Sequence, residues 1–172
     1  MTISTLVGVL VILLFLGIVF FISSLTKINS YLKFIACAIL ITFPFTIINL
    51  ANSIYANNVS VINIICTLLF ILSWLVFSLI QGYKKQSSFK KFIMGYWLLS
   101  LLSAWLGNLL GLSAALFALF NLVPMYGLYY YVQKSFSGIN YILILLVMII
   151  SWTGFLIGEK FIPFVKQKSH IN

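Results

Sequence analysis

Asparagine amides are the groups in this sequence best placed to do chemistry. Asn49, Asn52, Asn63 and Asn121 stand inside long apolar stretches, where an amide turned toward hydrocarbon is costly and should point inward instead. Asn49 and Asn52 share one helix face by their i, i+3 spacing. An inward cluster of uncharged donors and acceptors would suit a small uncharged solute. The same amides would also serve to tie neighbouring helices together, at about 0.6 kcal/mol per bond. Glu159 is the single acid and is followed by Lys160. A carboxylate within a membrane is a proton-coupling group, but at the end of an apolar run this one is expected to be hydrated or paired.

The rest of the inventory excludes more than it offers. There is no aspartate, and the one histidine, His170, lies in the C-terminal tail. No carboxylate pair, metal-ligand cluster, Ser-His-Asp set, haem-ligating histidine pair or phosphate-binding loop can be assembled from these residues. The expectation is a protein with no catalytic residues, cofactor or metal. Cys37 and Cys66 fall at depths about 15 Å apart, beyond the roughly 7 Å Cα limit for a disulfide, so two free thiols are expected.

The elements that position these groups follow from hydropathy. The chain of 172 residues is 63% hydrophobic and 6% charged, with a mean hydropathy of +1.20. A soluble domain would carry about a quarter charged residues. Apolar runs of about 20 residues match a hydrocarbon core of about 30 Å. The fold class is all-α, a polytopic transmembrane helical bundle. Residues 1–158 form one domain, with spans at about 5–25, 34–53, 59–80, 92–110, 113–131 and 139–158, and 159–172 make a basic interfacial tail. The N-terminus lacks a positive region and a small-residue cleavage site, so the first run is read as a retained span.

Ten lysines oppose the one acid, and arginine is absent. Most of the lysines fall between apolar runs, which reads as topology marking in a lipid bilayer and not as nucleic-acid binding. Lys84, Lys85, Lys90 and Lys91 in the stretch Gln81–Lys91 set the orientation and are a candidate surface for anionic lipid. Six spans with the N-terminus outside put seven lysines in the cytoplasm and three outside. If Ser113–Tyr131 is re-entrant, five spans put nine inside and one outside. Span length favours six.

Two further patterns bear on function. Pro44 with Asn49 and Pro124 with Asn121 fall in the middle span of each half, the placement expected of two inverted repeats around a transporter-type site. Small residues recur at four-residue spacing, where backbones approach closely: Ser103, Gly107 and Gly111, and then Gly154 and Gly158. These are a candidate helix-packing face. Taken together, the residues predict a multi-pass protein of a bacterial plasma membrane that acts through helix–helix contacts. It would serve as a subunit, assembly factor or immunity-type partner of another membrane component. The alternative is a transporter-like protein, or a membrane substrate-binding subunit, for a small uncharged solute.

Overall fold

Apolar runs of this length leave the backbone few ways to satisfy its hydrogen bonds, and the computed structural model answers with helices. It describes Gly17 and residues 29–55, 59–132 and 138–168. In chain order these form α1 (Ser30–Tyr55), α2 (Val61–Tyr83), α3 (Ser87–Leu110), α4 (Leu112–Leu122), a 3₁₀ turn (Val123–Met125), α5 (Tyr126–Val132) and α6 (Ile139–Lys168). Three stretches are long and apolar enough to cross a membrane: Ser30–Leu50, Val61–Tyr83 and Ile139–Lys160. The span expected at 5–25 lies outside the described residues, Gly17 excepted.

Local chemistry fixes where the helices start and stop. Ser60 caps α2 with a reciprocal box in which Asn63 fills the place usually held by Glu or Gln: Asn63 N donates to Ser60 Oγ and Ser60 N donates to Asn63 Oδ1. At the other end of α2, Gln86 N donates to Gln81 O and Lys85 N to Gly82 O. That is a Schellman closure with Lys85 in the left-handed position at φ 52°. Gly111 closes α3 and opens α4 at φ 90° and ψ −169°, a region open essentially to glycine alone.

The centre of the bundle is aromatic. Phe89, in the first turn of α3, is fully buried. Its ring centroid lies 5.0 Å from Phe34 of α1, 5.1 Å from Phe77 of α2 and 5.9 Å from Phe155 of α6. Trp74 and Trp97 meet at 4.9 Å further along. One residue therefore gathers four helices at the end of the bundle that carries the lysine turn.

Helix α2 lies alongside α6, and the two run parallel. Gly154 faces Leu75 and Ser78, and Gly158 faces Leu79 and Tyr83. A Cβ on Gly82 would collide with the Phe155 carbonyl, and one on Gly158 with the Leu79 carbonyl. Ser78 and Gly82 on one helix thus interlock with Gly154 and Gly158 on the other, small residue against small residue.

This seam, with the ion pair between Lys90 Nζ and Glu159 Oε2 at 3.0 Å, brings residue 159 to the same end as the lysine turn. A six-span path needs it at the opposite end. Helix α3 leaves the lysine end and α6 returns to it, so residues 112–132 begin and finish at the far end. Their deepest contacts are those of Phe117 and Asn121 with Tyr96. By Gly127 the chain is back beside Asn63, in the first turn of α2. The helix is broken at Pro124 into pieces of 11 and 7 residues, about 16 and 10 Å long at 1.5 Å per residue. Hydropathy registers the apolar length of this segment but not its direction.

Candidate functional site

The break at Pro124 is where the predicted polar residues converge. Proline has no N–H, so the carbonyl four residues earlier, Phe120 O, loses its helical donor. Thr46 Oγ1 of α1 lies 3.1 Å from that oxygen and 3.0 Å from Thr42 O, its one proton shared between the two. The Pro124 carbonyl accepts from Asn49 Nδ2 at 3.0 Å and has Thr67 Oγ1 of α2 at 2.9 Å. Thr67 Oγ1 in turn accepts from Gly127 N at 3.1 Å. Asn63 Nδ2 donates to Asn49 Oδ1 at 2.7 Å. Side chains from α1 and α2 therefore take over the groups that the broken helix leaves open.

Asn121 sits one turn deeper. Its Oδ1 accepts from Tyr96 OH at 2.7 Å and its Nδ2 donates to Phe117 O at 3.0 Å. Asn49, Asn63 and Asn121 are each at most 1% exposed. Asn49 and Asn63 are joined directly, while Asn121 belongs to a separate link between α3 and α4. Asn52 lies in the last turns of α1, and its side chain is outside the described residues.

Of the small residues, Ser103, Gly154 and Gly158 face neighbouring helices, while Gly111 is exposed. Ser103 Oγ accepts from Ala118 N at 3.1 Å, joining α3 to α4. Gly107 O receives the Gly111 amide at 3.0 Å. Gly154 and Gly158 are occupied by α2.

Beside the broken helix lies a cavity of about 560 Å³, lined by Thr46 and Leu50 of α1, Leu116, Leu119, Phe120, Leu122 and Val123 around the break, Tyr126 and Tyr129 of α5, and Asn140 of α6. Asn49, Asn63 and Asn121 are not among its lining residues. No family model, curated protein or solved structure matches this chain.

Among the described side chains, charge is confined to one end. All six lysines with described side chains sit there: Lys33 beside Phe34 at the start of α1, Lys84, Lys85, Lys90 and Lys91 around the turn, and Lys160 after Glu159. Lys90 also lies 5.1 Å from the centre of the Phe155 ring. The pair is partly exposed, at 35% and 28%, so it contributes only about 0–1 kcal/mol. It marks the register of α3 on α6.

Sequence reasoning passed over Thr46, Thr67, Tyr96, Ser78 and Gly82. Thr46 and Thr67 carried no signal of their own, because hydroxyls are common in membrane helices. Ser78 and Gly82 did carry one: their four-residue spacing matches that of Gly154 and Gly158.

Proposed function

We propose that this chain is a multi-pass integral membrane protein without catalytic machinery, acting by helix contact on another membrane component as a subunit, assembly factor or immunity-type partner. The observation that carries the reading is the internal pairing of its buried asparagines. Asn49, Asn63 and Asn121 spend their hydrogen bonds within the chain, and the one acid is paired with Lys90. Rows of apolar side chains are left on the outside: Leu32, Ile35, Ile39, Phe43 and Ile47 on α1, and Leu98, Leu102, Trp105 and Leu109 on α3. Such rows suit lipid or a partner helix. The bilayer proposed is a bacterial plasma membrane.

The orientation belongs to the same proposal. With the lysine end in the cytoplasm, the positive-inside tendency is met. Counting Thr5–Leu25 as the first span, the chain crosses five times, starts outside and ends inside. Residues 112–132 then enter from the outer side, reach the level of Tyr96 near mid-membrane, and return. This is the five-span path with nine lysines inside and one outside. Its support is the parallel run of α2 and α6.

A photoreactive benzophenone residue placed at Leu98, Leu102 or Trp105 on α3, or at Ile142 or Ile149 on α6, tests the role in intact membranes. One face should give a discrete protein adduct of fixed mass while the others give lipid adducts only. Lipid adducts at every position would remove the partner reading. The transporter-like alternative is favoured by a different observation, the cavity beside a broken, half-inserted helix. It predicts uptake of an uncharged solute into proteoliposomes that Leu119→Trp abolishes.

A further inference from the structure

We infer that the cleft between α1 and α2 at the lysine end seats the head of an acidic phospholipid, with Lys33 and Lys84 on either side of its phosphate. The inference rests on the membrane reading alone and not on any partner protein. The two helices run antiparallel: Asn63 donates to Asn49 toward the far end, and the Phe45 and Phe70 rings meet edge-on at 5.8 Å further along. Carried on to the lysine end, that register sets Lys33 level with Gly82. Lys33 and Lys84 therefore stand at one depth, within about 3 Å along the helix axes. Both lie within electrostatic reach of Cys37, which is buried one turn inside Lys33.

Charge names the class of the occupant. This end holds six lysines with described side chains, and the only acid in the sequence, Glu159, forms its ion pair with Lys90 on the α3–α6 side. Residues outside the described set can add no second side-chain carboxylate, since the sequence has none. A head of net negative charge is drawn to such a surface and a zwitterionic one is not. Depth then separates a lipid from a soluble anion. Only Lys84, Lys85 and Gln86 join α2 to α3, so their side chains are held against the ends of apolar helices and not raised into water. Tyr31 and Tyr83, both 45% exposed, flank them, as aromatic residues do at headgroup level. Below, exposed apolar side chains run down both helices, Ile35, Ile39 and Phe43 on α1 and Leu68, Leu72 and Val76 on α2, where acyl tails would lie. Lys90, engaged with Glu159, drops out of the lipid-facing set expected from the sequence, and Lys33 enters it.

The test uses the full chain in a non-ionic detergent, with phosphatidylglycerol or phosphatidylcholine added and the bound lipid measured by native mass spectrometry. Phosphatidylglycerol should bind about 30-fold more tightly, at about fivefold for each of the two lysines. Lys33→Gln combined with Lys84→Gln should bring the two lipids level. Lys91→Gln combined with Lys160→Gln removes the same charge elsewhere on this end and should cost less than about fivefold. If the first pair does not fold, the wild-type chain decides by salt. Its preference should fall toward parity between about 0.1 and 1 M, where the screening length drops from about 10 to about 3 Å. Equal binding of both lipids by the wild type, a preference unmoved by salt, or equal losses in the two double variants overturns the inference. Competition by glycerol phosphate, the head without its tails, overturns the lipid as the source. Release of the chain from membranes by alkaline carbonate is a separate failure, that of the membrane reading itself.

Discussion

Pro124 has no N–H to offer, and the residues around it are best understood from that deficit. Thr46, Asn49 and Thr67 restore donors to a helix that would otherwise expose carbonyls in an apolar interior. Asn49 matters most, since it holds Pro124 O and also accepts from Asn63. Asn49→Leu takes from Pro124 O one of its two donors, Thr67 Oγ1 remaining, and from Asn63 Nδ2 the acceptor it uses on α1; a lost buried hydrogen bond costs about 1–3 kcal/mol. Thermal unfolding in detergent should show that loss, and Thr46→Val a smaller one. A variant as stable as the wild type would mean that Asn49 serves a ligand and not the fold. The sequence revealed that the amides point inward, because hydrocarbon forbids anything else. It did not reveal their partners, because a proline's missing donor can be replaced from any neighbouring helix.

At the scale of elements, the α2–α6 seam and the α3–α4 corner are held by glycines for different reasons. Gly158 has the Leu79 carbonyl where a side chain would begin, so Gly158→Ala must push two backbones apart, at about 1–3 kcal/mol. Gly95, midway along α3, has nothing within 4 Å of its would-be Cβ. Gly95→Ala should instead stabilise by about 0.5–1 kcal/mol through helix propensity. Unfolding midpoints of the two variants, moving in opposite directions, check the packing register. Turn formers cluster at Gly107, Asn108, Gly111 and Ser113, and the helix breaks at Gly111. The course of the next segment was not legible, since an apolar run of span length reads alike whether it crosses or lies across its neighbours. Its direction is set by contacts with Tyr96, Asn49 and Asn63, all remote in sequence.

At the scale of the whole molecule, the strongest expectation concerns sidedness. Ser87→Cys and Lys160→Cys, each in a Cys37→Ala, Cys66→Ala background, should react with an impermeant maleimide from the same side of the membrane, and Tyr131→Cys from the other. A six-span path predicts opposite sides for the first pair. The class of the protein was legible from composition alone, as was the lysine turn as the pole of the bundle. The five-span path proposed above rests on α2 and α6 running parallel, a contact between remote segments that no hydropathy window contains. The seam between α2 and α6 also has a cost in time. Leu75 and Gly154 meet across nearly half the chain, so α2 is synthesised well before its mate exists. At about 5–20 residues per second that interval is roughly 4–16 s. Throughout it the notch at Ser78 and Gly82 stands open in the nascent chain, ready to be claimed by some other helix before its own arrives.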